Sequence, residues 1–419
     1  MKTTLFLGAM LLCAACSAPQ PESLKDVAQK TKVSFKLNVE QVRLLDATNN
    51  FGIRLFDAMA QTHPDSSMVL SPMGVAYSLN MLNNGTDGQT LAELCRSLGY
   101  KEADLQQINQ LCRTFIIGQR KVLTSAANPN DDFMHTANLL ATVGEDDVKR
   151  PFMSALAENY FAETLSAPTA EGLQQQANQW IRQQTDGMMK QIPLKLSDNA
   201  RACLVNSIVF RGGWLQKFND DLTQKEPFFR EDGRVDSVWM MRAYDDADVF
   251  RGRHDSLFTA LRMPYKGQFY MVLLLPNKGQ TLSSLRNALS ANMLRKLNAG
   301  WIKFDKFHIR VPRISLNVSV PLKPLLQRLG IRQVFGPDAN LSRMSSEPLQ
   351  VSDIVQQTLF SLDEDGTTAI SATAIQYSAL SALTQPREFF FTANRPFLYY
   401  ILDGFGNICF IGQCCGRSK

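Results

Sequence analysis

A chain of 419 residues that is 45% hydrophobic and 20% charged has the composition of a globular protein, which excludes a disordered chain. Its 44 Lys and Arg against 39 Asp and Glu leave a formal net charge of +5, small for this length. The cations are scattered without a run of like charge, so they read as a mixed solvated surface and not as a nucleic-acid face.

The N-terminus, "MKTTLFLGAMLLCAACSAPQ", has one early Lys, a short apolar run and then small residues. This is the pattern of a secretory signal peptide, too short to stay in a bilayer as an anchor. "CAAC" followed by Ser resembles a bacterial lipoprotein cleavage box, although Cys13 stands where Leu is usual. The resemblance implies cleavage after residue 15 and a lipid on Cys16; ordinary signal cleavage nearby is the alternative. Residues 16–45 are then expected to be a lipidated N-terminus and polar tether, and 46–419 one domain, exported to a bacterial cell envelope or beyond it.

Helical spacing comes next. Phe51, Leu55, Phe56 and Met59 recur along one face of "ATNNFGIRLFDAMAQ". "SPMGVAYSLNMLNNG" starts a second helix, with Ser71 able to cap it, Pro72 suited to its first turn and "NNG" to stop it. "TLAELCRSLGY", "DLQQINQLCRTFIIGQRKVL" and "QQQANQWIRQQTDG" are further amphipathic helices. From about residue 200 the pattern becomes that of strands: "ACLVNSIVF", "FYMVLLLP", "KFHIRVPRISLNVSV", "VSDIVQQTLFSL", "FFFTANRPFLYYIL" and "NICFIGQCC". One late helix, "VPLKPLLQRLG", interrupts them. Helices first and strands later predict an α+β domain with large, mostly antiparallel sheets.

Chemistry-bearing motifs are scarce. The four histidines, His63, His135, His254 and His308, form no HExxH and no pair at ligand spacing. There is no G-x-S-x-G elbow, no phosphate-binding loop and no dinucleotide fingerprint. Beyond the signal, Cys95, Cys112, Cys203, Cys409 and the adjacent Cys414–Cys415 make no metal pattern and read as small buried apolar residues; export would permit disulfides. No metal or cofactor is expected. A catalytic triad assembled by the fold stays open as an alternative.

Several segments, in order, resemble the serpin family. "LSPMGVAYSLNMLNNGTDGQT" is similar to its SPxS helix and the Gly-Thr segment that follows. "ANQWIRQQTDGMM" carries its helix motif at Asn178, Trp180, Ile181, Thr185 and Gly187. "LVNSIVFRGGW" supplies its Asn and Trp as Asn206 and Trp214. "VPRISLNVSVPLKPLLQRLGIRQVF", "FTANRPFLYYI" and "FIGQ" match later strands and a helix. The match covers nearly the whole chain from about residue 47. It implies a serpin fold with a large central sheet, further sheets, about nine helices and an exposed reactive loop.

The resemblance gives meaning to "DEDGTTAISATAIQYSALSALTQP", residues 363–386, an arm mostly of small residues that carries no charge after Asp365 and lies between two strands. In serpins such a hinge leads into a loop that a serine protease cuts. The protease stays on as a covalent acyl complex while the arm inserts into the central sheet. The hinge here would be Glu364, Gly366, Thr367, Ala369, Ser371, Ala372 and Thr373. Alternation puts Thr367, Ala369, Ser371 and Thr373 on one face, where small neutral side chains can enter a packed sheet without burying a charge. Gly366 supplies freedom where the chain must bend. Family spacing puts the cut at Leu380–Ser381, with Leu383 as the alternative register. An apolar residue there implies chymotrypsin-like or elastase-like targets.

Under the sheet, the family's gate would comprise Ser71, Asn206 and Gln356, with Trp214 at the top where insertion begins. Two positions depart from the family: Gly74 replaces a common Ser, and Gln356 a usual His. The expected protein is a monomeric, single-use protease inhibitor held to a membrane by its N-terminal lipid. A non-inhibitory member, acting as a carrier or folding factor, is the alternative.

Overall fold

The computed structural model describes residues 24–124, 133–144, 148–185, 187–192, 202–245, 249–346, 351–367 and 387–416. The chain enters through α1 (Leu24–Lys30) and α2 (Val39–Thr62), whose start is closed by reciprocal hydrogen bonds between Asn38 and Gln41. Strand β1 (Met68–Leu70) leads into α3 (Pro72–Gly85), α4 (Gly88–Leu98) and α5 (Leu105–Thr124). Then come β2 (Phe133–Val143), α6 (Arg150–Tyr160), β3 (Glu163–Ala167) and α7 (Ala170–Gln184). Three strands thus lie in the half expected to be helical. β1 and β3 are short, at 3 and 5 residues, and too brief to show a period in sequence.

The strand-rich half begins with β4 (Ala202–Gly213), β5 (Gln224–Phe229), β6 (Val235–Asp245), β7 (Arg251–His254), β8 (Phe258–Pro264) and β9 (Tyr270–Pro276). Helices α8 (Leu282–Ala288) and α9 (Ala291–Ala299) precede β10 (Lys306–Pro312), β11 (Ile314–Pro321) and α10 (Lys323–Arg328). The last strands are β12 (Val351–Leu362), β13 (Gly366–Thr367), β14 (Glu388–Thr392), β15 (Phe397–Leu402) and β16 (Ile408–Cys414). The described residues therefore hold ten α-helices and three sheets, in an α+β architecture.

The sheets have the orders β1-β16-β15-β9-β8-β7, β14-β10-β6-β5 and β11-β12-β13-β4-β2-β3. In the last, central sheet, antiparallel pairings dominate, but β12–β4 and β2–β3 run parallel. Two segments each expected as one strand are divided between sheets. "KFHIRVPRISLNVSV" breaks at Pro312 and Arg313 into β10 and β11, and "FFFTANRPFLYYIL" into β14 and β15. Proline donates no ladder bond, which suits it to such a strand end.

Both faces of the central sheet are covered. On β4, Leu204, Ile208 and Phe210 face the main core with α3, while Cys203, Val205 and Val209 face a second core under Trp180 and Ile181 of α7. This period of 2 is why the sheet reads as nearly continuous apolar sequence. The six cysteines of the described residues are buried, and no disulfide joins any two of them.

The segment expected as a polar tether up to residue 45 packs on the body. Val27 and Ala28 of α1 bury against Ile117 of α5. Phe35 lies 4.5 Å, ring to ring, from Phe405. Helix α2 is under way by Val39.

Candidate functional site

Two constellations lie along the seam between β12 and β4. The lower one is built on the start of α3. Ser71 caps that helix, its Oγ accepting from the Gly74 N–H at 3.3 Å while donating to the Cys409 carbonyl of β16 at 2.7 Å. The Gln356 amide grips the Ser71 backbone from β12. Its Oε1 accepts the Ser71 N–H and its Nε2 donates to the Ser71 carbonyl, both at 2.8 Å. All of these groups are buried, so each bond satisfies an atom that water cannot reach.

Asn206 is the register partner of Gln356 across the parallel seam. Its Nδ2 donates to Asn138 Oδ1 on β2 at 2.8 Å, and Asn138 Nδ2 donates to the Tyr160 carbonyl at the end of α6. Asn206 Oδ1 is buried without a hydrogen-bond donor. A Cβ at position 74 would fall 2.1 Å from that oxygen and 3.0 Å from Gln356 Nε2. Gly74 is therefore what lets the helix start approach the sheet.

The upper constellation closes the open end of the seam. β12 and β4 pair from Val351↔Ala202 to Thr358↔Ile208. Above that they part, and β13 occupies the gap. Thr367 pairs with Leu362 on one side and Gly212 on the other, and Gly366 with Gly213. Gly366 has φ +153°, and a Cβ there would lie 2.0 Å from the Gly212 carbonyl oxygen. The contact of glycine on glycine is thus a steric requirement.

Side chains pin the turn 363–366 in place. Asp363 Oδ1 accepts the N–H groups of Asp365 and Gly366, each at 3.1 Å, and burial pushes its carboxyl above the usual range against those bonds. Trp214, only 1% exposed, donates Nε1–H to the Asp363 carbonyl at 3.0 Å and its backbone N–H to the Asp365 carbonyl at 2.8 Å. Its indole stacks on Tyr265 at 4.3 Å, and Tyr265 OH bonds Thr367 Oγ1 at 2.6 Å.

Glu364 is buried and held by charge. Arg313 Nε lies 2.9 Å from both carboxylate oxygens, and Thr223 Oγ1 donates to Oε1 at 2.5 Å. The bond to Glu364 raises the pKa of Arg313 further above its already high value. A buried carboxylate is tolerable because this fork satisfies it. Lys217 pairs with Asp365 at 2.5 Å.

Of the residues expected at the hinge, Glu364, Gly366 and Thr367 meet here with Trp214. Ser71, Asn206 and Gln356 meet at the lower constellation. Ala369, Ser371, Ala372 and Thr373, the bond Leu380–Ser381 with its alternative Leu383, and Cys16 lie outside the described residues. Sequence reasoning missed Arg313, Thr223, Tyr265, Lys217 and Asn138. Arg313 had a signal, since it sits in the "VPRIS" motif, but nothing there names its partner 51 residues on. The four histidines engage separate neighbours: His63 contacts Thr62, His135 Gln184, His254 Thr259 and His308 Glu388. Among the described residues no group of three His, Cys, Asp or Glu gathers to hold a metal ion.

Comparison with known proteins follows the same lines. The model of the family Serpin (serine protease inhibitor) matches residues 46–416. Human plasma serine protease inhibitor is 30% identical over 415 residues, covering 96% of this chain and 98% of that protein. Iripin-2 of Ixodes ricinus is 28% identical over 382 residues, covering 89% and 94%. Among solved structures, human thyroxine-binding globulin superposes with a TM-score of 0.80 at 21% identity, covering 90% of this chain and 100% of that one. The thermophilic serpin tengpin in its native state gives 0.79 at 22%, covering 93% and 99%. At these identities the structural likeness shows the fold alone.

Proposed function

This chain belongs to the serpin family, and on that premise we propose that it is a single-use inhibitor of serine proteases, cut at Leu380–Ser381. The target's own serine attacks the Leu380 carbonyl, Ser381 leaves as the new amine, and Leu380 stays esterified to the protease. The arm then follows its hinge into the central sheet, Thr367 first, then Ala369, Ser371 and Thr373 on the same face. Insertion carries the protease with it and distorts its active site before water can deacylate it. This chain supplies no catalytic residue.

The observation that carries the reading is the open seam. Thr367 is 1% exposed and paired on both sides at the mouth of a gap. Below it, six residue pairs hold the same two strands together. A chain end already seated between two strands needs only successive exchange of those pairs to extend, and the arm after it holds no Lys, Arg, Asp or Glu as far as Pro386. The family includes proteins with other roles, and the fold alone does not separate them; the neutral arm favours inhibition over a carrier role. Leu380 favours chymotrypsin-like or elastase-like targets. The "CAAC" box supports export from a bacterium and a lipid on Cys16 that holds the protein at the cell envelope.

Incubation with chymotrypsin and with elastase tests the reading. The expected result is a band of summed mass that survives denaturing electrophoresis, together with a C-terminal fragment starting at Ser381. Clean cleavage with no such band across a panel of serine proteases would sink the inhibitor reading and favour the carrier. A mature N-terminus at Ser17 or beyond, without lipid, would sink the anchoring.

A further inference from the structure

Beside the hinge lies a cavity of about 280 Å³ to which this reading gives no use. It opens between Lys225 of β5, Ser237 and Trp239 of β6, and Pro312, Arg313 and Ile314 where β10 passes into β11. Trp239 is 48% exposed, unusual for the largest apolar side chain. Its indole has a cation on either flank, with Lys225 Nζ 5.4 Å and Arg313 Cζ 5.8 Å from the ring centre. No carboxylate lines the cavity among the described residues. Its size is near the lower end of small-molecule sites, roughly 300 Å³ upward.

We propose that this cavity binds a small organic anion with a flat apolar body. Its carboxylate or sulfonate would sit against Arg313, within the field of Lys225, and its body on the Trp239 indole against Pro312 and Ile314. The two cations select the charge, the indole selects a planar partner, and Ser237 offers a hydroxyl at the wall. Arg313 is also the fork that holds Glu364. Ligand and hinge therefore draw on one guanidinium. By linkage, an anion in the cavity loosens the hold on Glu364, and Glu364 weakens the anion by the same factor. Only this coupling, and not the binding, rests on the reading of Glu364–Thr367 as the insertion hinge.

The probe is naphthalene-2-sulfonate, titrated into the intact protein by calorimetry and by indole fluorescence. One saturable site is expected. Naphthalene-2-sulfonamide, the same body without charge, should bind about tenfold more weakly, the worth of one charge-assisted bond. Lys225→Met should weaken the sulfonate by about the same factor. Trp239→Leu should abolish the fluorescence change and weaken binding as well. Both substitutions are at exposed positions, so folding, checked by circular dichroism, is expected to be unchanged. Equal binding of sulfonate and sulfonamide, or unchanged binding in both variants, would overturn the site. Glu364→Gln should bind the sulfonate several-fold tighter, since its competitor for Arg313 loses its charge; affinity equal to the parent's would overturn the coupling and leave the site. No protease enters these titrations, so a failure to inhibit chymotrypsin would not mimic a failure to bind.

Discussion

Position 74 shows how two departures from a family pattern can be one arrangement. The missing side chain at Gly74 and the Gln at 356 face each other, with Asn206 Oδ1 between them. Gly74→Ser alone should be destabilising by about 1–3 kcal/mol, because the added atoms overpack a filled site. Gln356→His alone should cost about 1–3 kcal/mol, by leaving the Ser71 N–H and carbonyl partly unsatisfied. Together they restore the residue pair usual in the family, so the double variant should lose less than the sum. Coupling of about 0.5–3 kcal/mol is typical of residues in contact. Urea midpoints of the four proteins measure it, and strict additivity would show that the two departures are unrelated. At this scale the sequence was half legible. Ser71 announced itself as a cap, because capping is local. The grip of Gln356 on Ser71, 285 residues away, exists only once β12 lies over α3.

Elements were legible where their period was long and their role local. The apolar faces of α2, α3 and α7 and the Ser71 cap of α3 carry their own signals. The division of "KFHIRVPRISLNVSV" between two sheets does not, since alternation is the same in either. The hinge stood out by composition, but its anchors come from β4, β12, the β10–β11 junction and the turns after β4 and β8, which no local pattern joins. One substitution tests what β13 does. Thr367→Arg would force a long cation into a slot where Thr367 now bonds Tyr265 and touches both strands. Burying an unpaired charge costs several kcal/mol. A barrier to insertion raised by about 3 kcal/mol slows it roughly a hundredfold. Water then releases the protease first. The variant should be cut after Leu380 yet leave little complex on a denaturing gel, converting an inhibitor into a substrate. Trapping as efficient as the parent's would show that insertion does not begin at this hinge.

For the molecule as a whole, the proposed insertion implies stored free energy: among the described residues β12 and β4 pair directly below β13, with no strand between them. Nicking between Thr373 and Leu380 with a non-target protease should therefore raise the thermal midpoint by tens of degrees, on the order of many kcal/mol in a chain of this size. Calorimetry before and after the nick checks this, and an unchanged midpoint would favour the carrier role. The docked N-terminal segment bears on a different property, reach. Had residues 16–45 been a free tether, a lipid on Cys16 would have let the body roam roughly 100 Å from its membrane. With Val27, Ala28 and Phe35 seated on the body, only the seven residues 17–23 separate Cys16 from α1. Fully extended they span at most about 25 Å. A lipidated protein would then sweep a layer thinner than its own target and intercept only proteases already at the surface. Phe35→Ala, which removes the ring against Phe405, should free that segment and deepen the layer. Fluorescence energy transfer from a dye on the body to labelled vesicles would report the change, and an unaltered distance would mean that the strap does not set the range.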